Sequence, residues 1–148
     1  MHILDQDSPG LATKIEALPL SQRRNLVAVG LRVAMQPFGN LEPSISSLVQ
    51  TAIENKALSE AQVAEARLLE EWADDKYFSL RADGVAEAIW LEWYYKSRLV
   101  AGVVSGFGGT SWSETADALY ELCLTRDDPS DILEAVWSVV ESAGAPSG

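Results

Sequence analysis

The chain has 148 residues, a formal net charge of −11 and a hydrophobic content of 47%. This length and apolar content suit a single domain with one core, and they exclude a chain that is disordered throughout. The charge is uneven, because residues 1–64 have six acids against five bases, whereas residues 65–148 have sixteen acids against six bases. A field of one sign repels nucleic acid and anionic membranes, and it attracts basic protein surfaces. The composition therefore predicts a basic protein partner and neither nucleic acid nor membrane as a partner.

The cysteine content and the hydropathy indicate the cellular compartment that the protein is expected to occupy. Cys123 is the only cysteine, which excludes a disulfide within the chain and a thiolate metal cluster. No apolar stretch approaches the roughly 20 residues that span a bilayer, and the first residues lack the bases of a signal peptide. A soluble, cytoplasmic protein is expected.

The predicted fold is all-α, a single-domain bundle of about six to seven helices over residues 1–148, because no stretch alternates with the period of a strand. Loose tails are expected at about residues 1–6 and 143–148. The predicted helices lie near residues 8–17, 21–35, 43–55, 59–73, 81–104, 111–123 and 128–144. The helix at 21–35 is apolar on most sides and is expected to be central and buried.

Local signals set the predicted helix ends. Ser8 is predicted as an N-cap, and Ser21 as the next one. Capping boxes are expected where Ser59 precedes Gln62 and where Ser111 precedes Glu114. The helix at 59–73 is predicted to bury an apolar stripe formed by Ala61, Ala64, Leu68 and Trp72.

Acidic residues repeat at helical spacing on faces opposite the predicted apolar stripes. They are Glu70, Glu71, Asp74 and Asp75; Glu114, Asp117 and Glu121; and Asp131 with Glu134. A solvated face is one explanation. Like charges at this spacing destabilise a helix, however, and the first group is predicted at a helix C-terminus, where the macrodipole disfavours anions. These residues are therefore predicted to bind a partner.

The helix at 81–104 is unusually aromatic. Trp90, Trp93 and Tyr94 share a predicted core face, whereas Tyr95 projects away from it. Tyr95 lies within a turn of Glu92, and an exposed aromatic side chain with an acidic neighbour is typical of an interface hot spot. Burial of Tyr95 against a second helix is the alternative. Lys96 is expected to pair with Glu92 at i, i+4.

The sequence contains few of the residue types and motifs that enzymes use for catalysis. The only histidine, His2, lies in a predicted disordered tail, and Cys123 lies on an inward helix face without a histidine partner. The segment SGFGGTS, residues 105–111, lacks the lysine of a phosphate-binding loop and is predicted to be a flexible connector. The sequence predicts no catalytic residue, no metal site and no cofactor. A carboxylate-based metal hydrolase is a minor alternative.

The acidic helix faces and the tyrosines of the segment EWYYKS, residues 92–97, carry a resemblance to bacterial immunity proteins, the small helical acidic partners of nuclease toxins. The resemblance covers composition and helical class over most of the chain, and no family motif matches residue by residue. It implies a non-catalytic inhibitor that neutralises a basic, nuclease-like toxin by occlusion or nucleic-acid mimicry. The alternative hypothesis is a structural or adaptor subunit that forms a homodimer through its aromatic helix face.

Overall fold

The fold is taken from a computed structural model that describes residues 2–144 and contains eight α-helices and no strand within that range. The helices are α1 (Leu4–Asp7), α2 (Leu11–Glu16), α3 (Leu20–Met35), α4 (Pro43–Asn55), α5 (Glu60–Ala82), α6 (Glu87–Gly108), α7 (Trp112–Cys123) and α8 (Ser130–Gly144). The predicted all-α class is confirmed, and the helices are slightly more numerous than expected. None of them is long and apolar enough to cross a membrane.

The centre of the fold is α3, as predicted. It contacts α4, α6, α7 and α8, and its side chains Leu26, Val27 and Leu31 are fully buried. Most of the buried apolar side chains form one contiguous cluster that reaches from Leu4 in α1 to Val140 in α8. Ser21 does not cap α3, because the helix begins one residue earlier, after Pro19.

Two glycines allow α6 to lie close to its neighbours. A Cβ atom added to Gly102 would stand 2.7 Å from Leu122 Cδ2 of α7, and one added to Gly106 would stand 2.5 Å from Val27 Cγ1 of α3. The predicted connector therefore differs from the structure, since α6 continues through Gly108. Interhelical packing explains the difference, because small residues are needed where backbones approach closely.

α5 and α6 form a long helical hairpin, and the end of α5 differs from its predicted position. α5 ends at Ala82 instead of near residue 73, because neither glycine nor proline interrupts it, and the turn contains Gly84 with φ +72°. No residue from Asp74 to Tyr95 is fully buried, so this end of the hairpin projects beyond the core.

The N-terminal segment is more ordered than predicted. α1 buries Leu4 completely, and Gly10, with φ +85°, separates α1 from α2 where one helix beginning at Ser8 was expected. Ser8 is instead buried and accepts a hydrogen bond from Trp137 Nε1 at 2.5 Å. Of the predicted tail at residues 143–148, Ala143 and Gly144 belong to α8, and residues 145–148 lie outside the described range.

Candidate functional site

A cluster around Arg98 contains three of the predicted acidic residues. The Arg98 guanidinium donates to Glu121 Oε2 at 2.8 Å and to Asp74 Oδ1 at 3.2 Å, and Ser97 Oγ also donates to Asp74. Glu70 lies close enough to interact electrostatically with Arg98, Asp74 and Glu121. Burial, together with the carboxylates of Asp74 and Glu121 and against the attraction of Arg98, raises the pKa of Glu70 above its ordinary value of 4.5. Asp74 and Glu121 are therefore partly buried partners of one arginine, and Glu70 lies beside this ion-pair cluster.

The prediction that four acids close a helix is wrong. Glu70, Glu71, Asp74 and Asp75 lie in the middle of α5, which continues for seven residues beyond Asp75. The unfavourable interaction with the helix dipole is consequently absent, because that interaction is confined to the last turn. Only Glu71 and Asp75 of this group are exposed.

The predicted acidic face of α7 is occupied by contacts within the chain. Ser111 and Glu114 form the predicted capping box, and hydrogen bonds from Ser111 and the Thr110 backbone lower the pKa of Glu114. Asp117 Oδ1 lies 2.5 Å from His2 Nε2, so His2, which was expected in a disordered tail, is held on the body of the protein. Glu121 binds Arg98. Each carboxylate therefore has a structural role.

Two arginines hold the short linker between α6 and α7. Arg23 donates to Thr110 O at 2.6 Å and to Leu18 O at 2.6 Å, and Arg24 donates to Gly109 O at 3.3 Å. The N-terminus of α7 is already capped by the carboxylate of Glu114. These contacts fix the linker that was predicted to be flexible.

Tyr95 lines a cleft that the sequence predicted only in part. The cleft has a volume of about 450 Å³ and lies between the α3–α4 loop, the start of α6 and the α7–α8 loop. It is lined by Pro37, Phe38, Gly39, Ala88, Leu91, Glu92, Tyr95, Thr125, Arg126 and Asp127. We call it the Tyr95 cleft. A lining of mainly apolar side chains with a few polar groups is the usual composition of a binding site.

Tyr95 is half-buried, between the two alternatives that the sequence left open. Its hydroxyl donates a hydrogen bond to Asp127 Oδ1 at 3.4 Å. Partial burial, followed by the nearby carboxylate of Asp127, raises the pKa of Tyr95, so the hydroxyl remains a donor at neutral pH. One edge of the ring is thus available in the cleft while its polar end is oriented from within the chain.

The charges at the Tyr95 cleft give a negative balance. Lys96 is buried and lies 2.7 Å from Glu42 and 3.5 Å from Glu92, which confirms the predicted pair and adds a closer partner. Arg126 binds Asp131 Oδ2 at 2.5 Å and the Val33 carbonyl at 2.8 Å. Four carboxylates against two bases leave a net charge of −2; the carboxylates are Glu42, Glu92, Asp127 and Asp131.

Sequence reasoning missed Asp127, Arg126 and Phe38 as members of this site. Asp127 is 32 residues from Tyr95, and only the tertiary fold brings their side chains together. The charged run from Arg126 to Asp128 was a usable signal, since polar side chains in short loops often belong to binding sites.

The prediction that Trp90, Trp93 and Tyr94 form a core face of α6 is wrong. Trp90, Trp93 and Tyr94 are only partly buried, because they lie where α6 projects beyond the core. They pack instead on α5: Trp93 meets Trp72 edge-on at 5.1 Å between ring centroids, and Tyr77 lies 5.6 Å from Trp90 and 5.2 Å from Tyr94. This aromatic layer holds the hairpin together.

The described residues contain no arrangement of three or more His, Cys, Asp or Glu side chains that could hold a metal ion. Cys123 is buried as expected, and burial raises the pKa of its thiol to about 12. A thiol with such a pKa is a poor nucleophile at neutral pH.

The remaining predicted residue, Glu134, is exposed on α8. The structure thus divides the predicted site residues among the Arg98 cluster, the cap of α7, the Tyr95 cleft and separate exposed positions. Comparisons with family models, with curated proteins and with solved structures find no match to this chain.

Proposed function

We propose that this chain is a non-catalytic, protein-binding inhibitor that docks on a basic partner through the Tyr95 cleft and the acidic surface around it. A nuclease-like bacterial toxin is the proposed class of partner, with the cytoplasm as the proposed location. The inhibitor occupies the partner's basic surface and performs no chemistry. This assignment moves the proposed docking point from the α7 face to the cleft.

The observation that supports the proposal is the difference in exposure between acids and bases. Of the sixteen acids in residues 65–148, twelve are exposed, whereas only three of the six bases are exposed. The other three bases, Lys96, Arg98 and Arg126, are used in ion pairs within the chain. The folded surface is consequently more acidic than the composition alone indicates.

Tyr95 provides the specific contact in this proposal. Exposed charges increase the rate of encounter and select the sign of the partner, but they contribute little affinity individually. Hot spots are instead formed by aromatic residues at partly enclosed positions. Tyr95 has such a position, and Asp127 beside it is exposed and suited to a lysine or arginine of the partner.

The test is affinity capture at low salt from the source cell with three tagged baits. They are the wild-type chain, Asp127→Lys, and Glu16→Lys, which makes the same charge change on α2. We expect the wild-type and Glu16→Lys baits to retain one basic protein in stoichiometric amount and to release it in a salt step. Asp127→Lys should retain less than about one tenth as much, because the reversed charge beside Tyr95 repels a basic partner.

A Tyr95→Ala bait provides a second readout. Its circular dichroism should match that of the wild type, and the same protein should be lost from the eluate. Equal retention on all four baits would exclude the Tyr95 cleft. Recovery of the bait alone would contradict the proposed function.

A further inference from the structure

An apolar stripe runs along the outward face of α5. Ala61, Ala64, Leu68 and Trp72 are all exposed, although their spacing is that of a buried helix face. Leu68 is 66% exposed and Trp72 is 39% exposed. The sequence predicted this stripe to be buried, but α5 buries Ala66 and Ala73 instead, and within the stripe Trp72 keeps a contact with Trp93 of α6. We call the four residues the outer stripe.

A groove beside the outer stripe extends the same surface. Its volume is about 510 Å³, and it is lined by Ser44, Ser47, Leu48 and Thr51 of α4 and by Gln62, Glu65, Leu68 and Leu69 of α5. Leu68 belongs to both features. An open groove between two helices, with leucines among its lining residues, is the type of surface that accepts an amphipathic helix with apolar residues at i, i+3, i+4 and i+7.

The charges at this surface determine what can occupy it. Glu65 is the one charged residue among the eight that line the groove, and Glu71 and Asp75 are exposed beside the outer stripe. Of the bases on the same helix, Arg67 lines a separate cavity with Glu60 and Gly108. Lys76 lies at the Trp72 end of the stripe, with its Nζ 5.9 Å from the centre of the Trp93 ring that packs on Trp72. The three carboxylates therefore outnumber the one base at this surface. The occupant must therefore be cationic along its edges.

A second copy of the chain is a poor occupant. If two α5 helices packed antiparallel so that Leu68 of one met Trp72 of the other, Glu65 would lie opposite Asp75 at the same register. In a parallel two-fold arrangement each acid would face its own copy. Both symmetric contacts place like charges together, which disfavours association.

We propose that the outer stripe and the adjoining groove form a docking site for a basic amphipathic helix of a different protein. The apolar side chains of that helix contact Leu68, Trp72 and Leu48, and its lysines or arginines pair with Glu65, Glu71 and Asp75. This site shares no residue with the Tyr95 cleft. It is therefore independent of the function proposed for the cleft.

The test uses the full-length protein and fluorescently labelled helical peptides of about 18 residues, a length of five turns. One peptide has leucines at helical spacing with flanking lysines, and its partner has glutamates in place of the lysines. A third peptide has the basic composition in scrambled order. Fluorescence anisotropy should show the basic amphipathic peptide binding at least about tenfold more tightly than either control peptide.

Variants at exposed positions locate the binding without disturbing the core. Leu68→Asp should weaken binding of the basic peptide by roughly tenfold or more, whereas the matched control Ile89→Asp, at another exposed apolar residue, should leave it unchanged. Equal binding of all three peptides, equal loss in both variants or no binding would overturn the proposal. So would a dimer in sedimentation velocity that Leu68→Asp dissociates, because a second copy would then cover the stripe.

Discussion

Individual residues show which of the acids predicted to bind a partner are paired within the fold. The i, i+4 pair of Glu92 with Lys96 was predictable because both partners lie on one helix, and it is observed. The ion pairs of Arg98 join residues 23 and 24 positions apart, on three different helices. No local pattern reveals such a contact, so acids that appeared free in the sequence are bound within the fold.

A substitution of the single residue Glu70 tests the electrostatics of the Arg98 cluster. Its pKa is raised in the folded protein, so the folded state binds this proton more tightly than the unfolded state does. The ionised form therefore lowers the free energy of unfolding at neutral pH, and that penalty is absent below the ordinary pKa of 4.5. We expect Glu70→Gln to stabilise the protein at pH 7 by less than about 1 kcal/mol, given its partial exposure.

Urea denaturation of wild type and Glu70→Gln at a series of pH values measures this effect. The difference should shrink towards zero as the pH falls through the pKa of Glu70. Glu71→Gln, at the exposed neighbouring residue, is the matched control and should change the stability by no more than about 0.5 kcal/mol. A loss of stability in Glu70→Gln at pH 7 would mean that attraction to Arg98 outweighs burial.

At the scale of helices, ends marked by capping residues were predictable and ends set by packing were not. Both predicted capping boxes are present, at the starts of α5 and α7. The end of α6 was misplaced because Gly106 was interpreted as part of a connector, although it provides space for Val27. Apolar residues at helical spacing give the same sequence pattern whether their face is buried against a neighbouring helix or exposed to solvent. The outer stripe was therefore also assigned to the core.

Gly106 tests this interpretation of α6. Gly106→Ala introduces a methyl group where Val27 Cγ1 would lie at 2.5 Å, and Val27 is itself fully buried. We expect a loss of about 1–3 kcal/mol from overpacking, reduced by a gain of up to about 1 kcal/mol in helix propensity. Gly39→Ala is the control, because no atom lies within 4 Å of its added Cβ. Thermal denaturation that ranked Gly106→Ala above wild type would contradict the close approach of α6 and α3.

The whole molecule concentrates its acids on the surface and uses half of the bases in residues 65–148 in internal ion pairs. The sequence established the sign and size of the charge, and the all-α class followed from the absence of strand periodicity. It did not establish which charges face solvent. The Tyr95 cleft lay beyond prediction as a unit, since it joins a loop after α3, the start of α6 and the loop before α8.

The most direct measurement is the association rate of the captured basic partner with the purified chain, recorded by stopped-flow fluorescence over a range of ionic strength. Electrostatic steering predicts a rate that falls at least about tenfold from low to high salt, and a dissociation rate that rises selectively in Asp127→Lys compared with Glu16→Lys. An association rate that is independent of salt, with equal dissociation rates for the two variants, would contradict docking through the acidic surface at Tyr95.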